Sequence, residues 1–215
     1  MFKGKAPRSV LALAMMLLLA GPAAAVSYTL DQLVNGTVES FQSDNGLLTF
    51  SDFEITKLKK LSGNLSLYTV TVVDDGFELS SSAFEATGGG LKKLNLTYKV
   101  TANVGLITEA SMVMDATRTT GRVKVEKDIE DPNSDQGTFL LTLLRHNVSL
   151  LEDSDTFDGA TSFEVEEHIR IKKVSTLHSV RNSYTVVPEP AELSLLMAGI
   201  SGLVWIGRRR TAGAR

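Results

Sequence analysis

Between Val26 and Val187 the chain repeatedly alternates apolar and polar side chains, and no window of helical length holds a helical period. Leu94-Asn95-Leu96-Thr97-Tyr98-Lys99-Val100 is one such stretch, and Ser162 to Ile171 is another. Alternation of this kind predicts strands with one face buried and the other solvated. Leu67 to Val73 is rich in β-branched residues and runs into Asp74-Asp75-Gly76 and Phe77-Glu78-Leu79, a hairpin pattern. Further strands are predicted at Leu47 to Phe50, Phe53 to Leu58, Ile107 to Met114, Arg122 to Lys127, Phe139 to Leu144 and Ser179 to Val186. Short strands separated by Gly, Asn, Asp and Ser clusters predict an all-β fold, a single β-sandwich of immunoglobulin-like or jelly-roll type. Gly88-Gly89-Gly90 reads as a turn, because strand patterning resumes directly after it.

The two ends follow other patterns. Lys3, Lys5 and Arg8 precede an unbroken apolar run from Val10 to Ala20, which Gly21-Pro22 interrupts. Ala23 and Ala25 then supply the small-residue pattern that signal peptidase reads, so residues 1–25 are expected to be a removable signal peptide. The apolar run is well short of the ~20 residues that a membrane-crossing helix needs. At the other end, Pro188-Glu189-Pro190 is followed by Ala191-Glu192, an apolar stretch from Leu193 to Ile206, Gly207, and Arg208-Arg209-Arg210. The prolines push Val187 and Glu189 toward extended backbone, so helix cannot propagate through the motif. A helix from Ala191 to Gly207 would be roughly 25 Å long at about 1.5 Å per residue, the short limit for spanning hydrocarbon. The arginines are expected to hold its end in the cytoplasm, leaving the central domain outside.

This arrangement of Pro188, Glu189, Pro190, a short apolar helix and Arg208, Arg209 and Arg210 resembles the PEP-CTERM sorting domain. The resemblance covers residues 188–211 and implies an exported protein of a Gram-negative bacterium. It further implies processing by exosortase, a transpeptidase-like membrane cysteine protease. The expected course is a transient inner-membrane intermediate, cleavage near the motif, and transfer to the cell surface or an exopolysaccharide matrix. The short stretch Thr211 to Arg215 beyond the arginines departs from the family's pattern without disturbing the rest.

Composition narrows what the central domain, residues 26–187, can do. With 215 residues and 43% hydrophobic content, the chain can build one domain with a substantial core. It has no cysteine, so disulfides, thiolate metal sites and cysteine nucleophiles are excluded. The net charge of −3 hides a segregation: Lys3, Lys5, Arg8, Arg208, Arg209, Arg210 and Arg215 lie outside the central domain, whereas Glu189 and Glu192 are the only acidic residues that do. An acidic domain excludes nucleic acid as a partner, because phosphate binding needs clustered Lys and Arg.

Asp131, Asn133 and Asp135 place oxygens at alternate positions, as calcium loops do, but Gly137 falls one place late and no glutamate stands at the closing twelfth position. A polar hairpin turn is the ordinary reading. A second acidic segment, Glu152-Asp153-Ser154-Asp155 with Asp158, could adjoin the first if the strands around Thr138 to Leu144 and Thr161 to Ile171 were neighbours. His146, His168 and His178 lack metal-binding spacing. No Gly-x-Ser-x-Gly elbow occurs, and acidic residues are expected on solvated strand faces. Asn35, Asn64, Asn95 and Asn147 each begin an Asn-x-Ser/Thr triplet, read here as products of Thr-rich strands and Asn-rich turns. Tyr68, Phe77, Phe84, Tyr98 and Phe163 fall on alternating apolar positions and are expected in the core. The resulting expectation is a non-enzymatic surface or matrix protein with a structural or adhesive β-domain and no cofactor. A carbohydrate- or calcium-binding module is the alternative, with a secreted hydrolase behind it.

Overall fold

The computed structural model describes residues 25–88, 90–130, 137–145 and 148–188. These form two antiparallel sheets packed face to face. The strands of the first half are β1 (Ser27–Thr29), β2 (Ser40–Gln42), β3 (Leu48–Lys59), β4 (Tyr68–Val73), β5 (Gly76–Ser81), β6 (Glu85–Ala86) and β7 (Leu91–Ala102). Those of the second half are β8 (Leu106–Arg118), β9 (Arg122–Glu130), β10 (Thr138–Arg145), β11 (Val148–Leu150), β12 (Glu152–Ala160), β13 (Ser162–Lys172) and β14 (Ser175–Val187). One sheet runs β1-β4-β5-β14-β8-β12, with β6 added on β14, and the other runs β11-β10-β9-β13-β7-β3-β2. The all-β expectation therefore holds.

Helix is confined to α1 (Leu30–Val34) and two single 3₁₀ turns among the described residues. Thr29 caps α1 through a reciprocal arrangement with Gln32, and Leu30 and Leu33 point into the core. None of the described helices is long and apolar enough to cross a membrane; the expected anchor helix lies outside the described residues.

The sequence patterns translate directly into register. The predicted hairpin forms as β4 and β5, closed between Val73 and Gly76 by Asp74-Asp75. The two predicted strands Leu47 to Phe50 and Phe53 to Leu58 are one strand, β3, whose register shifts where Asp52 adopts a positive φ of 57°. Two other expectations need correction. Glu152 to Asp158 is part of β12, paired with β8, and forms no loop. The strands β10 and β13 are not neighbours, because β9 pairs with both and separates them. Sequence proximity had suggested a hairpin there, but the intervening β11 and β12 carry the chain elsewhere first.

The core between the sheets is aromatic at its centre. Phe77 meets Tyr98 and Phe50 edge-on at ring centroid distances of 5.1 and 5.2 Å. Phe53 stacks on Tyr98 at 5.4 Å, and Phe163 lies 5.7 Å from Tyr184. Tyr68, Phe77, Phe84, Tyr98 and Phe163 are all buried, as the alternation predicts. Because β14 occupies the middle of its sheet, its neighbours must approach closely. At Gly76 in β5 an added Cβ would stand 1.8 Å from the backbone oxygen of Asn182 in β14.

Gly76→Ala is accordingly expected to destabilise the fold by about 3 kcal/mol, since neither strand can yield without breaking its ladder. Urea unfolding measures this; a loss below about 0.5 kcal/mol would mean that the two strands do not hold each other in place.

Candidate functional site

The inward face of each sheet should be apolar, yet the two central strands break the rule at facing positions. In β9 the inward series is Val123, Val125, Lys127, Ile129; in β13 it is Phe163, Val165, Glu167, Ile169, Ile171. Lys127 and Glu167 are directly paired in the ladder. Together with Leu140 on one side and Leu96 on the other they form one row across the sheet. In the opposite sheet Asn182 of β14 lies between Phe77 and Met112. Lys127, Glu167 and Asn182 each have 0% exposure.

Each group is poorly served by hydrogen bonds. The Lys127 Nζ donates to the Ser111 carbonyl at 3.3 Å and to the Tyr184 hydroxyl at 3.5 Å, both long. It also lies 4.9 Å from the centre of the Tyr184 ring. The Tyr184 hydroxyl is 2.9 Å from that of Tyr98. Both carboxyl oxygens of Glu167 and both polar atoms of the Asn182 amide are buried without a hydrogen-bond partner. Such orphaned atoms each cost roughly 1–3 kcal/mol.

Burial sets the electrostatics. It pushes the Lys127 amine down from 10.5 to about 8, against the opposing pull of the Glu167 charge. It also raises the Glu167 carboxyl above its ordinary 4.5, opposed by Lys127 and then by Asn182 and Tyr98, which lie alongside but do not complete well-aligned hydrogen bonds. Burial raises the Tyr98 and Tyr184 hydroxyls as well. Both ionisable partners are thus shifted toward their uncharged forms. An unprotonated amine is a nucleophile, a carboxylic acid can serve as a proton donor, and a primary amide is an electrophile.

The positions singled out from the sequence fall elsewhere. Asp131, Asn133 and Asp135 lie between β9 and β10, outside the described residues, as do Ala23, Glu189, Pro190, Arg208, Arg209, Arg210 and His146. Ala25 is exposed ahead of β1, and Pro188 is exposed directly after β14. His168 points outward from β13, 3.5 Å from Asp128 and 3.7 Å from Glu166. His178 is exposed and lies 3.2 Å from the Thr117 hydroxyl. Among the described residues no three His, Asp or Glu side chains are placed to hold a metal ion. An open acidic groove on the outer face is lined by Asp128, Glu130, Glu164 and Glu166. Acidic residues thus do occupy solvated faces, but Glu167 does not. Its position was signalled by the alternation itself: Glu166-Glu167 sets one acid out and the next in, and Lys127 occupies an apolar slot in the same way.

No family model and no curated protein matches the chain. Among solved structures, similarity is found to TmCBM61 in complex with β-1,4-galactotriose, at TM-score 0.34 and 8% identity, covering 65% of this chain and 88% of that one. A second is the enzymatically active domain of bacteriophage CBA120 tailspike protein 4, at TM-score 0.31 and 10% identity, covering 67% of this chain and 20% of that one. A third is a family 29 carbohydrate-binding module, at TM-score 0.21 and 12% identity, covering 73% of this chain and 90% of that one. At TM-scores this low, none of these likenesses bears on ligand or activity.

The raised carboxyl of Glu167 has a definite pH signature, with Lys127, Tyr98, Tyr184 and Asn182 as the groups facing it. Its contribution to stability is fully present below the unfolded value of 4.5 and is lost as pH rises through the raised folded value. The stability difference between wild type and Glu167→Gln, measured by denaturant unfolding from about pH 4 to 8, should therefore shift against the wild type as pH rises. A difference that stays level would show that this carboxyl titrates normally.

Proposed function

We propose that this chain is an exported bacterial surface or matrix protein in which the β-sandwich serves a structural or adhesive role and the two ends direct delivery. The observation that carries this reading is the withdrawal of aromatic side chains into the core, which leaves no aromatic platform for a ligand. Phe139, at 49% exposure, is the one exposed aromatic ring among the described residues. Lys127, Glu167 and Asn182 lie between the sheets with no exposure.

The sorting part of the reading rests on the sequence. Residues 1–25 serve as signal peptide, with Ala23 and Ala25 read by signal peptidase. Pro188, Glu189 and Pro190 form the processing motif, and Arg208, Arg209 and Arg210 retain the tail in the inner membrane until an exosortase-like enzyme cleaves it. Exposure of Ala25 and Pro188 on either side of the paired strands supports access by both processing enzymes. The alternative, a carbohydrate-binding module, would have to be built on Phe139, the one exposed aromatic ring among the described residues. Its partner would be the exopolysaccharide into which the protein is delivered.

Replacing Pro188-Glu189-Pro190 with alanines is expected to hold the protein in the inner-membrane fraction with its arginine tail attached. Normal surface delivery of a tail-free chain from that variant would remove the motif from the account. In polysaccharide affinity electrophoresis the purified protein is expected to migrate unretarded. Retardation that Phe139→Ala abolishes would transfer the function to the carbohydrate-binding alternative.

A further inference from the structure

The Lys127 amine reaches across the core to the Tyr184 hydroxyl, two residues from Asn182 on the same inward face of β14, Glu167 lies alongside Asn182, and the amide and carboxyl have no hydrogen-bond partners. Three neutral outcomes exist for such a group: bound water, mutual proton transfer, or reaction. A bound water would have the Glu167 carboxyl, the Asn182 amide and the Tyr98 and Tyr184 hydroxyls as partners, but it would leave the amine, carboxyl and amide unreacted side by side. Proton transfer between Lys127 and Glu167 leaves the Asn182 amide orphaned. Reaction removes every orphan at once.

We propose that Lys127 and Asn182 condense to an intramolecular amide, with Glu167 as the proton carrier, so that a covalent bond joins the two sheets. The Lys127 Nζ lone pair attacks the Asn182 Cγ while the Glu167 carboxyl gives its proton to the amide oxygen. The carboxylate so formed takes a proton from the attacking nitrogen and passes one to Nδ2. As the Cγ–Nδ2 bond breaks and ammonia leaves, the oxygen returns its proton to the Glu167 carboxylate and the carbonyl reforms, so the Nζ–Cγ bond stays and Glu167 ends protonated as it began. No oxidant, metal or cofactor enters the balance. Burial favours each step: it lowers the cost of deprotonating the amine, favours the protonated carboxyl, and sets the groups on central strands held by ladders on both sides. The product has no buried charge, and its N–H and C=O can both engage the Glu167 carboxyl. The link ties β9 to β14, the strand that runs straight into Pro188, so tension applied at the C-terminal end would load a covalent bond instead of a hydrogen-bonded ladder.

This inference concerns chemistry inside the domain and does not depend on sorting or on any ligand, so either can fail alone. The test is peptide mapping of the full chain as purified, under denaturing conditions, alongside Lys127→Arg, Asn182→Ala and Glu167→Gln. Wild type is expected to yield one branched peptide containing Lys127 and Asn182, lighter by one ammonia than its two parts. Lys127→Arg and Asn182→Ala should yield only linear peptides. Glu167→Gln should form the branch at least tenfold more slowly. Linear peptides with intact Lys127 and Asn182 from folded wild type would overturn the proposal, and that readout needs no variant to fold. An undiminished rate in Glu167→Gln would overturn the role given to Glu167.

Discussion

The free-energy cost of placing an amine, a carboxyl and an amide between two apolar sheets governs how the centre of this molecule is arranged. An ion moved from water into such surroundings loses several kcal/mol even after relaxation, and a good ion pair only partly offsets it. The surroundings here are buried and ring-lined, which makes the cost higher and shifts Lys127 and Glu167 toward neutrality. Both lie on the central strands of one sheet, and Asn182 on the central strand of the other. Positions so deep cannot be hydrated by local opening at an edge. Their register is fixed by long ladders on both sides, and on the Asn182 side by the close approach of Gly76.

A covalent link between the sheets would suit the surface role proposed above. Domains outside the cell commonly gain covalent reinforcement from disulfides, but this chain has no cysteine. An amide between Lys127 and Asn182 supplies an equivalent cross-link, one that no thiol can reduce. Like a disulfide, it would restrict the unfolded chain and so stabilise the folded one. The position of β14 connects this chemistry with delivery: the strand is hydrogen-bonded on both sides and ends where the proposed processing motif begins. The outer faces, by comparison, carry ordinary exposed ion pairs such as Arg181 with Asp75 at 2.8 Å, worth little each.

Most of the fold was legible in the sequence because the alternation is strong. Leu94 to Val100 and Ser162 to Ile171 form strands in the expected phase, and Asp74-Asp75 closes the expected hairpin. Pairing order was harder to read, since it depends on contacts distant in the chain; β9 between β10 and β13 is the clearest instance. The central cluster was missed for a different reason. Residue type places acidic side chains on solvated faces, whereas phase alone puts Glu167, and with it Lys127, inside. Nothing local marks Asn182, whose importance comes from the opposite sheet. The readings proposed for the two ends rest on linear order alone, and the packing of the domain does not bear on them.

The claim that the two sheets are covalently joined is tested most directly by a high-resolution crystal structure of the mature protein. The account predicts continuous density from Lys127 Nζ to Asn182 Cγ, with planar amide geometry and a Glu167 oxygen within hydrogen-bonding distance of the new N–H. Separate, well-ordered amine and amide groups, with water or an ion pair satisfying them, would contradict it.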